Sequence, residues 1–327
     1  MPRAPHFWRA DGGKLLPTLL SPFAALVAAH TARRVARPGW RAPVPVICCG
    51  NVTVGGAGKT TLALDLAARL IARGIGVHVL LRGYGGSSSG TRRVGRDDPA
   101  RLVGDEARLL AEIAPTWIGA DRAASARAAV AAGAEALLLD DGLQNPTLEK
   151  DLSLLVIDGG FGFGNGLVMP AGPLREPVAA GAARCHAAVL IGADATAAAE
   201  RLPRALPVLR ARLVPGPEAV ALAGKRVLAF AGIATPEKFF ATLAQAGAVL
   251  AGKLAFADHH PFTERELHRI IDRAAALGAR PVTTPKDAVR IPAKLRPAID
   301  VLGVGLGWED PAAIEALLSA LPWARSA

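Results

Sequence analysis

Thr53-Val54-Gly55-Gly56-Ala57-Gly58-Lys59-Thr60 decides how this chain is read. It lies between an apolar run, Val44 to Cys49, and a helical pattern that begins at Lys59 and carries Leu62, Leu66 and Leu70 at i, i+4 spacing. That layout is a strand, a glycine-rich turn and a helix N-terminus. Glycines let the turn fold back, so that successive backbone N–H groups and the positive helix end, roughly half a charge, converge on phosphate oxygens. The stretch from Thr53 through Thr60, with Thr61 behind it, is expected to cradle a nucleoside triphosphate. Lys59 would reach the β- and γ-phosphates, and the Thr60 hydroxyl would ligate Mg2+. Thr53 stands where the loop pattern asks for its first glycine, a departure that the flanking strand and helix outweigh.

A second signal points the same way. Ala136-Leu137-Leu138-Leu139 is a short apolar run ending in Asp140-Asp141, as when a buried parallel strand delivers a metal-orienting acid to its carboxyl end. Similar runs recur at Gly76 to Leu81, Leu152 to Ile157, Ala187 to Ile191, Val227 to Ala231 and Pro281 to Thr284, each followed by a turn and a helical stretch. The alternation predicts an α/β fold: a phosphate-loop-containing, mostly parallel sheet with helices on both faces, whose ligands sit at the strand carboxyl ends. Pro and Gly gather from Pro203 through Gly224. They suggest a phosphate-loop core over residues 42–213, a linker over 214–224 and a second, smaller α/β domain over 225–327, with a cleft between.

The chain has 327 residues, of which 51% are hydrophobic, enough for two cores and against disorder. Cys48, Cys49 and Cys185 have neither metal nor disulfide spacing and read as small buried hydrophobes in a reducing compartment. The net charge of +10 is concentrated at the start, where residues 1–41 hold seven Lys/Arg (Arg3, Arg9, Lys14, Arg33, Arg34, Arg37, Arg41) against Asp11. Between Lys14 and Arg33, Leu15 to Ala32 carry no formal charge. A helix of that length spans roughly 27 Å, short of an about 30 Å hydrocarbon core. A spanning helix is therefore disfavoured, and a signal peptide would export a nucleotide site pointlessly. The preferred reading is an interfacial, membrane-associated helix on an anionic leaflet, with Trp8 and the arginines as anchors; the alternative is a helix packed on the protein's own core. Nucleic acid is not expected, since no aromatic-interleaved basic strand accompanies the charge.

Strand ends supply further candidates. Arg82-Gly83-Tyr84 is a turn with a cation that faces either phosphate or solvent. Asp105, in Gly104-Asp105-Glu106, reads locally as an N-cap. In Pro170 to Pro177 two prolines flank Arg175 and Glu176, and an Arg fork suits phosphate oxygens. Asp258-His259-His260 precedes a Thr263/Glu266 capping box. Adjacent histidines point apart and lack a third ligand, so an Asp–His pair for proton handling is preferred to zinc.

Gly50 to Thr60, Arg82 to Tyr84, Gly104 to Glu106, Asp140 to Asn145, Pro170 to Pro177, Asp258-His259 and Lys286 to Ala288 occur in the order seen in tetraacyldisaccharide 4'-kinases, which the chain resembles from residue 7 to about 290. Phe7-Trp8 and Leu15 to Val27 are similar to that family's N-terminal membrane helix. The resemblance implies transfer of the ATP γ-phosphoryl group to the 4'-hydroxyl of a tetraacyldisaccharide 1-phosphate, giving lipid IVA, at the cytoplasmic face of a bacterial inner membrane. It also implies Mg2+, an acylated glucosamine disaccharide as partner, and a monomer. By similarity, Lys59 stabilises the transferring group, Thr60, Asp140 and Asp141 organise Mg2+, Arg175 contacts phosphate and Glu176 joins the metal shell. Asp105 would be the base, assisted by His259, against the local N-cap reading. Leu143 and Asn145 depart from a common Phe and His. A switch ATPase of the partitioning type is the rival; Val54 stands where such proteins carry a signature lysine.

Overall fold

The computed structural model describes residues 5–88 and 90–323; Arg3 and the outer ends of the expected segments 1–41 and 225–327 lie outside the described residues. In chain order the strands are β1 (Val46–Gly50), β2 (Val77–Leu81), β3 (Arg92–Arg93), β4 (Thr116–Ile118), β5 (Ala136–Asp140), β6 (Leu152–Asp158) and β7 (Ala187–Ile191). They continue with β8 (Val208–Pro215), β9 (Arg226–Ala231), β10 (Val249–Ala255), β11 (Arg280–Thr283), β12 (Asp300–Val301) and β13 (Val304–Trp308).

Nine strands form one sheet in the order β13-β8-β7-β6-β1-β5-β2-β4-β3. All its pairings are parallel except those of the edge strands β3 and β13. Every residue of β1, β2, β5 and β7 is buried, as a sheet covered on both faces requires. One face packs Ile47 and Cys49 against Leu62, Leu66 and Leu70 of the helix Lys59–Ala72. The other packs Val46, Cys48 and Leu155 against Ala126 and Ala129. Burial pushes the Cys48 thiol up to about 11, so it is an inert packing group.

The remaining strands form a second, wholly parallel sheet, β10-β9-β11-β12. Val227 and Ala229 pack with Phe239 and Leu243 on one face, and Leu228 and Phe230 with Leu267 and Ile270 on the other. The helix Glu264–Ala276 opens on the expected Thr263/Glu266 capping box.

Two boundaries differ from expectation. The expected linker, 214–224, begins inside β8 (Val208–Pro215), whose alternation of apolar residues with Arg210 and Arg212 is hidden among prolines. The expected domain 225–327 is also too long, because β13 returns to the large sheet and pairs antiparallel with β8. The following helix, Pro311–Ser319, packs Ile314 and Leu318 into the first core. Glu315 from that helix pairs with Arg69 and Arg73 of the helix behind the phosphate loop. The second sheet is thus inserted between β8 and β13. Its two crossings lie side by side, Pro215 opposite Val304, with the Gly216 N–H donating to the Gly303 carbonyl at 2.9 Å.

The N-terminal helix runs Leu15–Val35. Pro17, Leu20, Ala24, Val27, Ala28 and Thr31 turn toward the protein, whereas Leu15, Leu16, Leu19, Phe23 and Leu26 are each more than half exposed. Both long faces are therefore apolar. Trp8 does not point outward as an anchor: it is partly buried and its indole N–H donates to the Pro170 carbonyl at 3.1 Å.

Candidate active site

The phosphate loop leaves β1 and enters the helix at Lys59 through Gly58, which takes φ +89. A Cβ there would also lie 2.7 Å from Ile191 Cδ1, and Gly55 takes φ +111, so both positions need glycine. Among the described residues, the backbone N–H groups of Gly55 through Thr61 donate to no carbonyl or side chain. A run of free donors at a positive helix end fits phosphate. Val54 is not part of that run, because its N–H donates to the Pro173 carbonyl at 2.8 Å. Thr53 pairs with Leu174 as an isolated bridge, and its hydroxyl accepts from Asn51 Nδ2 at 3.0 Å. Both tie the loop to the Pro170–Arg175 segment. Lys59 Nζ donates to Asn51 Oδ1 at 3.0 Å and stands 3.7 Å from Asp141.

β5 neighbours β1 with Asp140 opposite Cys49, which sets the acidic pair beside the loop. The two carboxylates differ in state. Asp141, in a left-handed conformation (φ +61), receives both Arg175 nitrogens at 2.7 and 3.0 Å. Burial works against its charge, but Lys59 and Arg175 outweigh that and hold it below the ordinary carboxylate range. Asp140 is 3% exposed, and its Oδ2 accepts from the Thr60 hydroxyl at 2.9 Å, while Oδ1 is buried without a partner. Burial, followed by the charge of Glu106, pushes Asp140 up to about 7, against the pull of Lys59.

An orphaned carboxylate oxygen beside a threonine hydroxyl fits a hard divalent cation such as Mg2+. Among the described residues no three His, Cys, Asp or Glu side chains form a metal cage, as suits an ion that takes its other ligands from phosphates and water. Of the expected metal residues, Thr60 and Asp140 have that donor geometry. Asp141 is engaged by Arg175. Glu176 is 2% exposed, and its Oε1 accepts from both Gln144 Nε2 at 2.8 Å and Arg184 at 2.7 Å, while Oε2 has no hydrogen-bond partner among the described residues.

Asp105 heads the helix Asp105–Leu110 but does not cap it; Gly104 occupies the N-cap at φ +93. A Cβ on Gly104 would meet the Tyr84 carbonyl at 2.4 Å, so the Arg82-Gly83-Tyr84 turn abuts the helix start. The Asp105 side chain is 8% exposed, and its Oδ2 lies 2.7 Å from His259 Nδ1, which comes from the second sheet. Asp258, the neighbour expected to pair with His259, is farther away at 3.8 Å. His259 itself takes φ +59, an uncommon conformation that costs of order 1 kcal/mol and clusters at functional sites. Glu106, next to Asp105, meets Lys286 at 3.4 Å and is near enough to Asp140 to raise it. The helix turn that carries Asp105 is thus within electrostatic reach of the acidic strand end beside the phosphate loop.

Several further residues here have no role assigned from the sequence. Arg122 is buried with Nε unpartnered; burial lowers it to about 10 despite the nearby Asp141 and Asp140. Gln144 bridges Asn51, Glu176 and Arg175. Arg290 reaches Asp105 at 3.4 Å. Leu143, which replaces a common Phe, fills the space over Gly50, and Asn145, which replaces a common His, receives the Thr147 N–H and hydroxyl.

A triphosphate cradle facing a carboxylate–imidazole pair across one crevice defines a P-loop kinase, an enzyme class that holds a nucleotide and relieves an acceptor hydroxyl of its proton. Residues 16–322 match the family described as tetraacyldisaccharide-1-P 4'-kinase, and the chain belongs to that family. It is 57% identical over 319 residues to the tetraacyldisaccharide 4'-kinase of Gluconacetobacter diazotrophicus, covering 96% of this chain and 97% of the relative. It is 56% identical over 329 residues to that of Rhodospirillum centenum, covering 98% and 96%. Its fold is similar to a crystal structure of LpxK from Aquifex aeolicus in complex with ATP, with TM-score 0.75, 25% identity, and 93% and 99% coverage.

Proposed function

We propose that this chain transfers the γ-phosphoryl group of ATP to the 4'-hydroxyl of a tetraacyldisaccharide 1-phosphate in lipid A biosynthesis. The free amides of Gly55 through Thr61 bind the phosphates, and Lys59 leaves Asn51 to stabilise the charge of the transferring group. Thr60 and Asp140 would hold Mg2+, which neutralises phosphate charge when bound. Arg175, already a fork, keeps Asp141 ionised and faces the same charge. Asp105 takes the proton of the attacking hydroxyl, with His259 orienting it and sharing the charge. The Asp105–His259 contact at 2.7 Å between the two sheets carries this reading, because it joins a carboxylate and an imidazole 154 positions apart in the chain.

The lipid acceptor is met at the cytoplasmic face of the inner membrane. The exposed row Leu15, Leu16, Leu19, Phe23 and Leu26 would enter the interface while the opposite face of the helix stays on the protein. Arg9, Lys14, Arg33, Arg34, Arg37 and Arg41 flank that row, each contributing about 1 kcal/mol near anionic lipid. An assay with γ-labelled ATP and the acylated disaccharide tests the whole reading. Label in an organic-extractable lipid supports it; label released only as free phosphate favours a switch ATPase.

A further inference from the structure

Lys286-Asp287, with Arg290 beyond, stands out in the sequence and has no part in the phosphoryl-transfer scheme so far. We propose that Arg290, anchored by Asp287, is a positioning residue that fixes the catalytic orientation of Asp105; this rests on Asp105 being the base. Asp287 is fully buried. Its carboxylate accepts from the Gly232 N–H at 3.1 Å and from the Thr284 hydroxyl at 2.7 Å, which fixes it within the second unit. Arg290, 8% exposed, is held by Asp287, donates to the His260 carbonyl at 2.8 Å and the Gly232 carbonyl at 3.1 Å, and lies over the Phe262 ring. The Arg290 Nε–H donates to the Lys286 carbonyl at 3.4 Å, and the guanidinium so held forms an ion pair with Asp105, Nε standing 3.4 Å from Oδ2.

His259 Nδ1 approaches the same Oδ2. Two groups from the second unit thus hold one oxygen of Asp105, and among the described residues Oδ1 makes no hydrogen bond. Oδ1 is the oxygen presented to the acceptor hydroxyl. Lys286 adds a third contact to the same helix turn, at Glu106. The Lys286–Asp287–Arg290 group therefore reads the first turn of the Asp105 helix, and Asp105 is set for proton transfer only when the second unit is docked.

The test uses the full chain with Mg-ATP and tetraacyldisaccharide 1-phosphate. Since a correctly placed base contributes about 100- to 10,000-fold, Arg290→Gln should lower kcat by roughly 30-fold or more while ATP KM and nucleotide affinity stay within about twofold. Arg290→Lys keeps the charge without the fork, and should lose at least about tenfold in kcat with unaltered ATP KM; should the Gln variant not fold, the Lys variant alone decides. In an Asp105→Asn background, Arg290→Gln should cost nothing further. Parental kcat in both arginine variants, or an equal loss with and without Asp105, overturns the positioning role while leaving the base assignment intact. An Asp105→Asn enzyme with full activity removes the base assignment instead.

Discussion

Asp140→Asn isolates the cost of a carboxylate built for an ion. A buried carboxyl shifted from 3.8 to about 7 is a shift of about 3 units, worth roughly 4 kcal/mol at about 1.4 kcal/mol per unit. The direction follows from proton counting. Between pH 3.8 and about 7 the folded protein holds a proton that the unfolded chain has lost, so stability is full at low pH and declines as pH rises through that window. The asparagine variant has no such proton. An unpartnered buried amide nitrogen costs the same at every pH, so the diagnostic quantity is the change in the difference between parent and variant. From pH 5 to pH 8, without nucleotide, that change should favour the variant by roughly 2–3 kcal/mol. Urea unfolding at the two pH values measures it. Saturating Mg-ATP should reverse the ranking, since only the parent keeps the full ligand set and gains the binding free energy. A difference that does not move between pH 5 and pH 8 would refute the reasoning.

The other expected outcomes concern residues whose assignment the structure changes or sharpens. Glu176→Gln should leave the Mg2+ dependence of turnover unaltered and lower the unfolding free energy by about 1–3 kcal/mol, the partly exposed Arg184 moderating the loss of a buried pair; a shifted Mg2+ requirement would return Glu176 to the metal shell. Replacing Leu15, Leu19, Phe23 and Leu26 by Ser should abolish flotation with anionic liposomes while the melting temperature stays within about 2 °C, because these side chains are exposed; unchanged flotation would show that this face does not meet lipid.

What the chain reveals in sequence depends on whether its determinants are local. β1, β2, β5, β6, β7, β9 and β11 are legible because fully buried parallel strands are short uninterrupted apolar runs. β8 and β13 are not, because each alternates or is cut by glycine and pairs across the whole inserted chain 216–303, Pro215 with Val304. The phosphate loop and Asp140 are legible for the same reason as β1 and β5: turn chemistry and strand ends are written consecutively. Asp105 is the opposite case. Its neighbours spell an N-cap, and apart from the family resemblance nothing in the sequence joins it to a histidine 154 positions away. Arg122 follows the ordinary capping residue Asp121, so nothing nearby marks it as the buried cation beside Asp141. Nothing beside Glu176 in the sequence tells that Gln144 and Arg184 share one of its two oxygens.

The paired crossings at Pro215 and Val304, laced by the Gly216–Gly303 hydrogen bond, set the mechanics of the second unit. A body hung from one strand can tumble, but one carried on two adjacent pins behaves like a door, with sideways drift suppressed and a single swing left. His259, Lys286 and Arg290 travel on that door together. One swing would bring all three to Asp105 and Glu106, or withdraw them, together.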